Sequence, residues 1–351
     1  MLLDPQDSGA YFIHLLWNYY VTPGVFSPEQ LISEAVIFDA VSILIDTWKT
    51  EQHHEEKSSY RYSELPRDGV GSLTGYTGMT WSGFRPSDDP AQYGYNVPGN
   101  MYAAGALQRV LALNSAIWRS SDLKQRAEEL LNDIETGIRT HGVVEVEPGI
   151  KMYAYEVDGL GGNLTDFDDA NVPSLLATPL LGWDGYDREI YKVTRARLLS
   201  PETNEWYFRG ESAEGIGSPH TGKNMVWPMA LIIQALTTDE SAEEVVRIVE
   251  SLLKMQCGNG LMHESVDVNN LNHCTRPVFE WANALAVVLG EHLLGLDCDA
   301  EAEAFRLIEV KDSEKKDTQV HPRNGGEDLP LYYQRLEAEV SFDVPAQALS
   351  K

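Results

Sequence analysis

EQLISEAVIFDAVSILIDTWK, residues 29–49, returns to an apolar side chain every three or four positions, the spacing of a helix with one buried stripe. The same rhythm recurs over 99–118, 121–140, 185–199, 224–237, 241–256 and 278–295, with shorter stretches near 11–20 and 171–181. Ser27-Pro28-Glu29 and Asp239-Glu240-Ser241 precede two of these runs as candidate caps. The chain is therefore expected to be all-α, an array of helical hairpins closed into a toroid of the (α/α)6 kind.

The rhythm gives roughly eight or nine helices, whereas six stacked hairpins that bury one another's faces need about twelve. The toroid is accordingly expected to be incomplete at its N-terminal side. Its domain spans residues 1–300; from 301 to 351 the composition turns polar, and that segment reads as a loose or locally docked tail.

Of 351 residues, 43% are hydrophobic and 23% charged, an ordinary balance for a chain with a large core. The formal net charge of -27 repels phosphate backbones and anionic membranes, so nucleic acid is not an expected partner. No run of eighteen apolar residues offers a membrane span, and the opening MLLDPQDSGAYF lacks the regions of a signal peptide. Localisation stays open; an upstream signal would point to the secretory route. Three cysteines, Cys257, Cys274 and Cys298, suggest neither a disulfide framework nor a paired zinc motif.

The loops between helices are rich in aromatic and acidic residues, and loops of this kind carry function. TGMTWSGFRPSDDPAQYGYNVPGNMYA, residues 77–103, gathers Trp81, Arg85, Asp88 and Asp89 before a helix. Sugars stack their C–H faces on aromatic rings and hydrogen-bond their hydroxyls to carboxylates and Arg, so this loop suits a carbohydrate. Read plainly, Ser87-Asp88-Asp89 also makes a turn that Arg85 neutralises.

YAYEVDGLGGNLTDFDDANVPSLL, residues 153–176, brings Glu156, Asp158, Asp168 and Asp169 together without the twelfth-position Glu of a calcium loop. The third loop, GESAEGIGSPHTGKNMVWPMALIIQAL at 210–236, presents His220 after a proline and lacks a phosphate-binding fingerprint. In the fourth, GNGLMHESVDVNNLNHCTRPVFEWANALAVVL at 258–289, the His263-Glu264 pair has no second His for a zinc protease. No G-x-S-x-G elbow occurs. What remains is two carboxylates on separate loops, as acid–base cleavage of a glycosidic bond requires.

GMTWSGFRPSDD, YAYEVDG with DDANVPSLL, EGIGSPHT with VWPMALIIQ, and LMHES with TRPVFEWAN resemble, in order, the signatures of glycoside hydrolase family 125, and most closely its fungal branch. The resemblance runs from WKTEQHHEE at 48–56 to about residue 295. It implies an (α/α)6 toroid that removes terminal α-1,6-linked mannose with inversion and uses no nucleotide or redox cofactor; no residue is expected to hold a metal. Carried over residue by residue, it implies a general acid at Asp88 or Asp89 and a general base at Glu264. Trp81, Arg85, Glu156, Asp158, Asp169, His220 and Arg276 become expected contacts to an α-mannoside.

Family members also carry a helical segment with a tryptophan- and aspartate-bearing loop ahead of the region resembling DSGAYFIHLLWNYY at 7–20, which here follows Met1 almost directly. A catalytically inactive carbohydrate-binding fragment is therefore the competing expectation, and other toroid enzymes such as lyases or epimerases form a third class.

Overall fold

The computed structural model describes residues 5–22, 27–238 and 242–295. The expected 301–351 tail and the cap at Asp239-Glu240-Ser241 lie outside the described residues.

Helices dominate: α1 (Pro5–Val21), α2 (Pro28–Ile32), α3 (Ala35–Glu51), α4 (His54–Lys57), α5 (Pro66–Gly69, a single turn in which Arg67 and Asp68 take left-handed angles), α6 (Val97–Leu113), α7 (Ser121–Gly137), α8 (Arg188–Leu198), α9 (Pro228–Leu236), α10 (Ala242–Lys254) and α11 (Glu280–Leu293). The opening run divides between α2 and α3 around Ser33 and Glu34. Ser27 has left-handed backbone angles and its side chain makes no cap bond, so it is not the cap its sequence suggested. The stretch 171–181 yields only the 3-10 turn Thr178–Leu180, after the Val172-Pro173 bond.

Inner and outer helices follow from their patterns. α6 is apolar or small almost all round and buried along nearly its whole length, as a central helix must be. Its partner α7 buries the stripe Leu123, Ala127, Leu130, Ile134 and Gly137, with its charged side chains on the opposite face. The pair α9 and α10 repeats this arrangement: Pro228 to Ala235 are buried, while α10 contributes Val245, Ile248 and Leu252. α1 packs on α6, and α11 packs on α9. Gly105 lets the Leu181–Gly182 backbone cross α6, since a methyl there would stand 2.5 Å from the Leu181 carbonyl oxygen.

Between α1, α6, α9 and α11 lies an apolar cavity of about 640 Å³, bordered by Tyr11, Tyr102, Met229, Ile233, Trp281 and Leu285.

Short strands brace the connecting loops. β1 (Tyr95–Asn96), β4 (Glu156–Val157) and β5 (Asn163–Leu164) form one antiparallel sheet in the order β1-β4-β5. β2 (Val143–Glu147) pairs with β3 (Ile150–Tyr153), and β6 (Tyr207–Arg209) with β7 (Glu214–Ile216). β8 (Met225–Val226), β9 (Ser265–Asp267) and β10 (Cys274–Thr275) form a sheet in the order β10-β9-β8.

Candidate active site

The four decorated loops converge on one pocket of about 400 Å³. Ser87 and Asp88 come from the first loop, Asn171 from the second, His220 and Trp227 from the third, and Glu264, Arg276 and Phe279 from the fourth.

Local backbone chemistry aims Asp88 into this space. The Arg85 amide donates to the Asp89 carbonyl at 2.8 Å and the Asp88 amide to the Arg85 carbonyl at 2.9 Å, closing a tight turn. Asp88 sits at its tip with φ 67°, a left-handed conformation that Asp tolerates better than most residues. Its neighbour Asp89 is held from two sides, by Ser87 Oγ 3.2 Å from Oδ2 and by His220 Nδ1 3.5 Å from Oδ1.

Glu264 is buried in the opposing loop, immediately before β9, and its Oε1 stands 3.0 Å from Arg276 Nη1 without an aligned hydrogen bond. Arg276, 58% exposed, also places its guanidinium 5.9 Å from the centre of the Phe279 ring. Trp227 meets Phe279 edge to face with centroids 5.7 Å apart, and donates from Nε1 to Thr221 Oγ1 at 2.8 Å. The pocket thus has carboxylates on two loops and an aromatic wall, suited to a ring with one apolar face and several hydroxyls.

Below the floor, Asp169 is fully buried and receives Ser87 Oγ at 2.5 Å and the Asn171 amide at 3.1 Å. Burial pushes its carboxyl up to about 6, against the pull of these donors and of Arg85. Asp168 accepts from the Leu175 and Leu176 amides at 2.9 and 3.0 Å, yet burial outweighs them and pushes it up to about 8.

The expected substrate residues therefore separate into two groups. His220 and Arg276 border the pocket, and Asp169 reaches it only through Ser87 and Asn171. Four others do not line it. Trp81 is 1% exposed and stacks on the His54 ring at 3.5 Å between centroids, a core side chain rather than a sugar platform. Arg85 turns inward, pairing its Nε with Glu156 Oε1 at 2.6 Å and lying over the Phe167 ring at 4.2 Å. Glu156 spends its other oxygen on the Gln92 and Tyr93 amides, both at 2.9 Å. Asp158 closes its own turn by accepting from the Leu160 and Gly162 amides.

Sequence reasoning missed Ser87, which links the turn carrying Asp88 to Asp169, and Asn171, which lies inside DDANVPSLL. It also missed Asp7 in α1: burial raises its carboxyl first, and the charge of Asp88 adds to the rise.

The cysteine reading is corrected too. Cys257 and Cys274 are joined in a disulfide. The pairing of β9 with β10 sets Cys274 opposite Val266 and brings it back towards the start of the loop, which the 17-residue separation did not disclose. Among the described residues, the one grouping with metal-ligand spacing is Cys257, His263 and Cys274, and its two sulfurs are those of this bridge.

Comparison with known proteins decides the ancestry. The family model described as metal-independent alpha-mannosidase, family 125, matches residues 6–290. The chain belongs to glycoside hydrolase family 125. The meiotically up-regulated gene 157 protein of Schizosaccharomyces pombe is 38% identical over 304 residues, 80% of this chain and 57% of that protein. The chain thus spans little more than half the length of this curated relative.

A solved family 125 structure, a Streptococcus pneumoniae metal-independent alpha-mannosidase in a non-productive complex with α-1,6-mannobiose, superposes with a TM-score of 0.77. Identity is 37%, and the match covers 83% of this chain and 69% of that one. The fold class is the mostly helical (α/α)6 toroid of family 125. No helix among the described residues is long and apolar enough to cross a membrane.

Proposed function

We propose that the chain removes terminal mannose from α-1,6-linked mannosides with inversion, with Asp88 as general acid and Glu264 as general base. The observation that carries this reading is that Asp88 and Glu264, on loops far apart in sequence, line the same aromatic-walled pocket. Asp88 is preferred to Asp89 because it lines the pocket and is exposed, while Asp89 is occupied by Ser87 and His220.

In the proposed step, the Asp88 carboxylic acid gives its proton to the glycosidic oxygen as the C1–O bond breaks. A water on the other side of the sugar gives up a proton to Glu264 and forms the new bond to C1, so the first product is β-mannose. Such a geometry calls for carboxyl groups about 6.5–9.5 Å apart, against about 5–5.5 Å in a retaining enzyme. A neutral glycan also suits a surface with a formal charge of -27. Family membership and the mannobiose complex of the streptococcal relative support the substrate class.

The test is mannose release from α-1,6-mannobiose, with the α-1,2 and α-1,3 isomers as controls and proton NMR following the anomer. Release confined to the α-1,6 isomer, appearing first as β-mannose and lost in Glu264→Gln, is expected. Appearance of α-mannose first would refute inversion, and binding without release by the wild type would make this chain a carbohydrate-binding protein.

A further inference from the structure

Glu264 stands in the only stretch of the pocket rim that a covalent crosslink encloses among the described residues. The Cys257–Cys274 disulfide closes a loop whose members include His263, Glu264 and the hairpin β9–β10, and Arg276 follows two residues after Cys274. We propose that this disulfide is a positioning element for the reaction, holding Glu264 and Arg276 in the pairing that the pocket uses. The inference rests on the assignment of Glu264 as general base.

Noncovalent ties hold the rest of this rim. On the Glu264 side, Met262 is clamped to α11: its amide donates to Asn283 Oδ1 at 3.0 Å, and its carbonyl accepts from Asn283 Nδ2 at 2.8 Å. On the far side, the Ser265 amide donates to Thr275 Oγ1 at 3.1 Å, the two hydroxyls meet at 2.7 Å, and the Asp267 amide donates to the His273 carbonyl. β9 and β10 are only three and two residues long, with solvent close by. A ladder this short is marginal on its own. The bridge fastens β10 to the end of the α10 connection, at the point where His263 Nε2 contacts the Gln256 carbonyl at 3.1 Å and Asn259 Oδ1 at 3.2 Å.

The consequence lies at Arg276. It leaves β10 with φ 40°, and its Nη1 reaches Glu264 across the hairpin. Release of Cys274 frees the strand that aims Arg276, and Glu264 then loses its registered partner while the helices around it stay packed. Misplacement of a reacting group by about 1 Å costs on the order of 100-fold in rate.

A dithiol reductant supplies the chemistry of the test. It breaks the sulfur–sulfur bond, each cysteine sulfur gains one electron and one proton, and the reductant closes into its own cyclic disulfide.

The experiment compares the Cys298→Ser protein, which keeps only the Cys257–Cys274 pair, oxidised, reduced with dithiothreitol and reoxidised, with a variant that also carries Cys257→Ser and Cys274→Ser. Turnover of α-1,6-mannobiose is measured beside amide hydrogen exchange over residues 262–276 and circular dichroism. Reduction is expected to lower kcat by about 10-fold or more with KM changed less than about threefold, to speed exchange in β9, and to leave helical dichroism intact. Reoxidation restores the rate, and the variant lacking both cysteines stays at the reduced level whether or not dithiothreitol is present.

The reversible cycle on one folded protein separates a positioning effect from failure of the variant to fold. An unchanged kcat on reduction overturns the inference, whatever happens to exchange. Full turnover by Glu264→Gln would sink the assignment of the base beneath it, a result that Cys257 and Cys274 do not influence.

Discussion

Arg85 Nε lies 2.6 Å from Glu156 Oε1, joining residues 71 positions apart, and both side chains are almost wholly withdrawn from water. The pair ties the turn that presents Asp88 to strand β4, while Glu156 also receives the Gln92 and Tyr93 amides. Its work is to fix the loop that carries Asp88. Breaking it by Arg85→Met leaves a buried carboxylate without its cation, which costs about 3–5 kcal/mol. Urea unfolding should show that loss, and adding Glu156→Leu should recover part of it.

Trp81→Ala separates core from sugar platform. A large ring removed from a packed interior costs about 3–5 kcal/mol, so the variant should melt early. KM for mannobiose, measured well below the melting range, should stay within about threefold of wild type, because Trp81 is buried against His54 and does not line the pocket.

Asp88→Asn and Asp89→Asn should part company when the leaving group changes. Loss of a general acid costs about 10²–10⁴-fold on mannobiose, yet much less on an aryl mannoside whose phenolate departs unprotonated. Asp88→Asn is expected to show that recovery. Glu264→Gln should stay slow on both substrates, since water still has to be activated, and Asp89→Asn should affect both substrates alike.

The buried pair Asp168 and Asp169 predicts the direction of a pH effect on stability. Folding raises these carboxyls from an ordinary 3.8 to about 8 and about 6, chiefly through burial. Between those limits the folded state binds more protons than the unfolded one, so their contribution is fully present below pH 3.8 and is lost as pH rises through about 6 for Asp169 and about 8 for Asp168. The difference between wild type and Asp168→Asn in urea titrations cancels the other groups. Wild type should lose stability relative to the variant on going from pH 5 to pH 8, by more than about 1 kcal/mol. A difference that grows with pH in favour of wild type would refute the burial argument.

Helices were legible because periodicity reports burial directly. The stripe of α7 and the all-round apolar character of α6 are both visible in sequence, and each became the outer or inner helix that its pattern demands. The loops were legible as places but not as contacts. Carboxylate and aromatic density located all four pocket walls, whereas composition could not show that Arg85 points inward or that Trp81 meets His54 rather than solvent.

Long-range pairing is what a linear reading lacks. The Ser87–Asp169 hydrogen bond spans 82 positions, and a serine between a proline and two aspartates announces only a turn. The Cys257–Cys274 bridge escaped for the same reason: it depends on a hairpin register that two- and three-residue strands do not advertise.

Trp281 borders the acidic pocket and also the apolar cavity between α1, α6, α9 and α11, with 57% of its surface open to solvent. One indole therefore samples two chemically opposite chambers, and its emission serves both as an optical gauge. A sugar settling on one side strips water from its edge, and a hydrocarbon probe entering the other shields its remaining surface. Subtracting the spectrum of Trp281→Phe isolates this one reporter from the other seven tryptophans, so occupancy of either chamber can be read by light, without turnover and without a label.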